Sequence, residues 1–417
     1  MRKKQHKMLP NKAESLISAI IEKIGVTTKP TRKFVTHILV LFMGLRGKYN
    51  FINMSRYGSY DEKTYRNQME KPFNWADFNT KLVQENCSQE LILAYDPSYL
   101  SKSGKKTPHV GWFWSGQAQA VKRGIEIGSL AVVDVLNETA FSLEAVQTPL
   151  IPKNTSHEEN TIDHHLGVIL NRANDAKKLN IEYLAVDGYF AKEKFVNGVI
   201  ENSHFHIIGK LRQDANLRYA YVGKKRSGRG RPKLYDGKVN TGFIDRRRIR
   251  HCFDIDNDTS VFSGIVYSIS LKRQIRIVYI EHYGQDGYAK GHAILFSTDL
   301  NLTPEKILRY YKLRFQIEFL FRDAKNFAGL EHCQARSENK INFHVNASLS
   351  TVSLAKALHY LPVPKDKRES FSMLDLKTLY FNEYITDLIF SKLDLDLSCK
   401  KIRQLYDECL SIGRLAA

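Results

Sequence analysis

The chain has 417 residues, 43% of them hydrophobic, enough for a sizeable core and for two or three domains. It carries 63 Lys and Arg against 44 Asp and Glu, a formal charge of +19, which favours a polyanionic partner, nucleic acid before membrane. The longest apolar run, Phe34 to Leu45, includes Thr36 and His37 and at about twelve residues is too short to span a bilayer. The five cysteines contain no Cys-x-x-Cys pair, which argues against a disulfide framework or a zinc site and suits a reducing cytoplasm.

The opening MRKKQHKMLPNK is basic but has no apolar stretch behind it, so it does not read as a secretory signal. Residues 12–46 space Leu16, Ile20 and Ile24 as helices do. Then Ile52 and Met54 precede a turn at Gly58, and a polar helix can begin near Asp61, carrying Lys63, Thr64, Arg66, Asn67 and Gln68. This reads as a helix-turn-helix or as an ordinary antiparallel helix pair. Residues 1–85 are expected to form a helical N-terminal domain, closed by a linker or docking segment around Pro72.

Leu91 to Tyr95 is a continuous apolar run, as in a strand covered on both faces, and it stops at Asp96-Pro97. Ile181 to Val186 is a second such run, stopping at Asp187-Gly188. Each aspartate is expected at a strand end, where a turn former follows. Between them, Gly124–Val135 and Glu138–Thr148 read as a hairpin, and Thr161–Lys178 as one helix. A short helix (191–201) and a strand (205–211) follow Asp187. Asp134 at a strand end and the Asp163-His164-His165 cluster are rival acidic sites, read as surface or supporting groups.

Residues 212–300 are rich in β-branched positions, as in 261–271 and 275–280. From Lys224 to Arg250 there are eleven Lys and Arg against two acids, Asp236 and Asp245. Within that stretch Gly-Arg229-Gly-Arg231-Pro-Lys233 has the form of an AT-hook core, in which arginines enter a narrow minor groove, or of a flexible basic loop. Asp254 to Asp258 fails as a calcium loop, because Thr259 stands where glycine is needed and Ile265 where glutamate is needed.

Thr303-Pro304-Glu305 is a helix start, and no Gly or Pro interrupts the chain from there to Phe327, so one helix of about six turns is expected. At about 100° per residue, Tyr311, Arg314, Glu318 and Lys325 fall within roughly 60° of one another. Leu313, Ile317, Leu320 and Ala324 oppose them, and Phe315, Phe319 and Phe321 fill the flanks, so the helix reads as buried nearly all round except for this stripe. Such a stripe must pair internally, bind a metal or meet a charged ligand. Beyond it, 345–361 reads as an apolar helix, and 346–417 as a helical segment that packs on the core or supplies a dimer contact.

The order Tyr311, two residues, Arg314, three residues, Glu318, six residues, Lys325 resembles the signature of the insertion-sequence-four type of bacterial DDE transposases. The resemblance implies an α/β fold: an RNase H-like catalytic core (86–345) with a mainly β insertion (212–300), a helical DNA-binding N-terminal domain and a helical C-terminal segment. It implies that Asp96, Asp187 and Glu318 are catalytic and bind two Mg²⁺ (or Mn²⁺) ions. Tyr311, Arg314 and Lys325 then contact double-stranded DNA near the scissile phosphate, and Arg229, Arg231 and Lys233 contact it from the insertion. The implied activity is excision of an insertion sequence by phosphodiester hydrolysis and joining of its 3′-hydroxyl to target DNA, by a homodimer that synapses two inverted repeats in a bacterial, nucleoid-associated setting. The alternatives are a metal-dependent nuclease without strand transfer, or a non-catalytic DNA-end-binding regulator. Some members of that family form a DNA hairpin and hold a flipped base on a tryptophan in the insertion. Here the tryptophans are Trp75, Trp112 and Trp114, all upstream.

Overall fold

The computed structural model describes residues 12–25, 28–150, 160–221, 223, 233 and 235–415. Five helices open it: α1 (Lys12–Ile24), α2 (Lys29–Gly44), α3 (Phe51–Tyr57), α4 (Glu62–Gln68) and α5 (Trp75–Asn86). Four of them start on a short polar side chain that accepts from the first turn: Thr28, Asn50, Asp61 and Asn74.

The sheet begins with β1 (Leu91–Ser101), β2 (Gly111–Ser115), β3 (Ala120–Asp134) and β4 (Thr139–Gln147). Helices α6 (Thr161–Leu170) and α7 (Ala173–Lys178) lead to β5 (Tyr183–Ala185), and α8 (Glu193–Asn202) to β6 (His206–Leu211). The single helix expected over 161–178 is thus two, parted at Asn171-Arg172. Arg172 turns its guanidinium onto Glu144 of β4 at 2.5 and 2.7 Å.

Six more strands follow: β7 (Leu217–Ala220), β8 (Tyr235–Lys238), β9 (Arg250–Asp256), β10 (Thr259–Ser268), β11 (Arg273–Tyr283) and β12 (Ala289–Ser297). They extend the same sheet, in the order β2-β3-β1-β5-β6-β12-β11-β10-β7-β8, with β4 on β3 and β9 on β10. The join is antiparallel, Ile294 to Ser297 of β12 against Leu211 to Ile208 of β6. Asp254 to Asp256 lie in β9, and Asp258 takes the turn before β10. Arg229 and Arg231 fall outside the described residues. Lys233 is described, paired with Asp236 and set over the Tyr221 ring.

The chain ends in α9 (Pro304–Leu313), α10 (Gln316–Phe327), α11 (Glu338–His359), α12 (Met373–Lys392) and α13 (Lys400–Ser411). Helix α11 is buried along most of its length and closes an open edge. Strand β4 pairs only with β3, so its outer backbone groups need partners. Asn346 accepts from the Ala145 N–H and donates to the Ala145 carbonyl, both at 2.9 Å. Ser353 accepts from the Ser142 N–H, and Lys356 donates to the Ala140 carbonyl. Side chains of a helix thus stand where a further strand would pair. Helix α2 packs on α11 and α12, tying the two ends of the chain together.

Candidate active site

Strand β1 runs on through Asp96 and Pro97 to Ser101, paired with β3 throughout, so Asp96 does not lie at the end of its strand as the Pro97 step suggests. What ends just before it, at Ala94, is the pairing with β5. That parallel ladder holds Leu93 beside Leu184 and Ala94 beside Ala185, and the same offset brings Asp96 level with Asp187. Pro97, which has no N–H to offer, falls three residues past Ala94, the last residue paired with β5. Asp187 follows its strand as expected and caps a single 3-10 turn, accepting from the Tyr189 N–H at 3.0 Å.

The third carboxylate arrives from α10. The expected single long helix is jointed: α9 stops at Leu313 and α10 resumes at Gln316. Arg314 and Phe315 keep right-handed helical dihedrals, but Ile317 N–H donates to the Arg314 carbonyl and Glu318 N–H to that of Phe315, one residue shorter than the α pattern. Such tightening advances the phase by about 20° per residue. The helix is also less buried than its apolar residues suggest. Lys312, Phe315, Arg322 and Asn326 face solvent, and Phe315 lies edge-on against Phe319.

Asp96, Asp187, Glu318 and Lys325 line one open pocket of about 1350 Å³. Arg314 stands between two of the acids, its guanidinium 3.4 Å from Glu318 and 4.0 Å from Asp96. Tyr311 lies beneath it, 5.7 Å from guanidinium to ring. Lys325 donates to the Tyr99 carbonyl of β1 at 3.0 Å and sits 3.8 Å from Glu331. The sequence stripe therefore meets the two strand aspartates.

The electrostatics follow from crowding. Burial pushes the Asp96 carboxyl up to about 7; Arg314 opposes this, while Asp187, Glu318 and Glu126 add to it. Burial holds the Lys325 ammonium below its usual range, with Glu331 and Asp96 opposing. Burial likewise raises the Tyr311 hydroxyl.

Glu126 escaped the sequence reading. It faces Tyr99 across the β1–β3 ladder and lines the same pocket, its carboxyl raised by burial. The signal was an acid set between Ile125 and Ile127, midway along β3. His165 also lines the pocket, buried, with its Nδ1 2.7 Å from the Tyr95 hydroxyl. The remaining rivals are structural. Asp134 accepts from Ser88 and Asn137 at the far end of β3. Asp163 completes a capping box with Asn160 and pairs with Lys194.

Among the described residues, no three of His, Cys, Asp and Glu are grouped so as to hold a metal ion as they stand. The donor set nonetheless suits a hard divalent cation: carboxylate oxygens crowded in one cleft, one of them costly to keep ionised without a counter-charge. Arg314 Nε is buried with no hydrogen-bond partner among the described residues.

Residues 147–352 match the family model of the transposase DDE domain. Over that stretch, just under half of its length, the chain is similar to transposase DDE domains. No curated protein matches it. Transposases of this kind act on DNA and generally use divalent metals. The matched stretch holds Asp187 and Glu318 but begins after Asp96, so Asp96 rests on the sequence pattern and the geometry and not on this match. No described helix is long and apolar enough to cross a membrane.

Proposed function

We propose that this protein is a cut-and-paste transposase of the insertion-sequence-four type, with Asp96, Asp187 and Glu318 as its catalytic carboxylates. The observation that carries the reading is the level placement of Asp96 and Asp187 on adjacent parallel strands, with Glu318 across Arg314 in one pocket. These three residues would hold Mg²⁺ or Mn²⁺. Two such ions, when bound, activate the attacking oxygen and relieve charge on the leaving one.

The chain's own groups do the rest. Arg314, rigid and forked, stands between Asp96 and Glu318, where its charge would help hold a phosphate near the carboxylates. Lys325 adds a point charge on the same helix. Tyr311 fixes the plane of Arg314 from below. In the first step water adds to the scissile phosphorus, the P–O3′ bond breaks, and the 3′-oxygen leaves as a hydroxyl. In the second, that hydroxyl adds to a target phosphorus and displaces the target's own 3′-oxygen. Two protomers, one per element end, are needed to join both ends.

The test uses Asp96→Asn, Asp187→Asn and Glu318→Gln in the full chain. Each is expected to bind end DNA yet lose Mg²⁺-dependent nicking by more than about 100-fold, beyond what supporting groups around a metal contribute. Undiminished strand transfer in all three would end the proposal. Joining of a pre-cut end to plasmid separates the transposase from a nuclease on the same scaffold.

A further inference from the structure

Beside the catalytic pocket lies a second open cavity of about 1010 Å³. Six cations line it, Arg66, Lys102, Lys105, Lys106, Arg336 and Lys340, and no acid does. Three elements build it. The β1–β2 loop turns at Gly104, whose φ of +126° suits glycine, and sends Lys105 and Lys106 into solvent. The Lys102 ammonium donates to the Cys333 carbonyl and pins this loop to the segment before α11. Glu70, just past α4, accepts from Ser337 and pairs with Lys340 at 2.7 Å, pinning α4 to the start of α11.

The cations divide into two groups. Arg66 is held by Glu62 and by the Phe51 ring, Lys340 by Glu70, and Lys102 by the Cys333 carbonyl. Lys105, Lys106 and Arg336 are exposed, and no ion pair joins them to any described residue. Three unpaired cations facing one hollow repel one another unless a polyanion enters. The hollow adjoins the catalytic pocket at Ser101, which lines both. Asp96 and Ser101 lie on one strand, five residues apart, about 17 Å at ~3.3 Å per residue. That equals the rise of about five nucleotides of duplex.

We propose that this basin grips the phosphate backbone of the DNA roughly five nucleotides from the bond being cut, with Lys105, Lys106 and Arg336 as the gripping groups. Backbone contacts of this kind set register without reading sequence. The proposal rests on the transposase reading and adds where the substrate is held.

The experiment measures binding of the full-length protein to a duplex of arbitrary sequence, without divalent metal, across a range of salt. Removing three phosphate contacts is expected to flatten the slope of log K against log salt by about 2.7, ~0.9 for each. The variant is Lys105→Ala/Lys106→Ala/Arg336→Ala, and Lys105→Ala alone should give about one third of the change. A control with the same loss of charge, Lys367→Ala/Lys400→Ala/Lys401→Ala, should keep the wild-type slope. A basin variant with the wild-type slope, or a control that flattens equally, would overturn the proposal. Mg²⁺-dependent nicking by the wild-type protein is scored separately. Its absence would count against the transposase reading, while the slopes still decide the basin.

Discussion

At Asp96 the fold holds a carboxylate where it is least comfortable. The group is largely buried, three other acids lie close enough to raise it, and Arg314 is the main group that offsets them. Asp96→Asn is therefore expected to stabilise the metal-free protein by on the order of 2 °C or more in a thermal melt at pH 8, since about 1 kcal/mol shifts a large domain by that much. Added Mg²⁺ should raise the melting temperature of the wild type and do so far less for the variant. Arg314→Gln should act in the opposite sense: it removes the counter-charge and raises the Mg²⁺ concentration needed for nicking at neutral pH. A titration of nicking rate against Mg²⁺ checks this. Asp187 and Glu318 were legible in the sequence because each carried its own local mark, a turn after an apolar run and a polar stripe on a helix. Glu126 carried neither, and only the β1–β3 register brings it to the pocket.

Among elements, α11 decides more than its apolar character suggests. Its Asn346 side chain substitutes for a strand on β4, satisfying both backbone groups of Ala145. Asn346→Leu should leave two buried polar groups unpaired and cost about 2–6 kcal/mol, at about 1–3 kcal/mol each. Denaturant unfolding measures it, and Asn346→Asp should recover part by accepting from the Ala145 N–H. Helix starts were readable, as at Thr303, whose hydroxyl accepts from the Lys306 N–H at 3.4 Å. The joint at Arg314-Phe315 was not, because no Gly or Pro announces it. Strand β2 was missed because Trp112 and Trp114 are mostly exposed on an edge strand, where the alternation of a half-buried strand is inverted. The pairing of β12 with β6 joins residues about eighty apart. Nothing local encodes that, so residues 212–300 read as an insertion but not as a continuation of the same sheet.

Across the whole molecule, three histidines outside the pocket are stored neutral. His37 donates to or accepts from Tyr65 at 2.6 Å, His359 does the same with Tyr380 at 2.9 Å, and His344 donates to the Gly329 carbonyl at 2.8 Å. Burial lowers each from 6.5 to about 4. Their sites join α2 to α4, α11 to α12, and α11 to the end of α10. The sign follows directly. Below pH 6.5 the unfolded chain binds these protons and the native one does not, so stability is full above 6.5 and falls as pH drops towards 4. Unfolding near pH 5 should take up about three protons from these residues. Melting temperatures between pH 7 and 4.5 would show the slope, and His344→Gln should reduce it.

The unbroken course of β1 from Asp96 to Ser101 has a geometric corollary. Side chains alternate along an extended backbone, so one added residue would turn everything beyond it to the opposite side of the sheet. Only insertions of two residues would preserve orientation, each lengthening the span by about 7 Å. The interval between where the duplex is seized and where it is severed is thus quantised. A lineage could retune it only in jumps of roughly two base steps, never gradually.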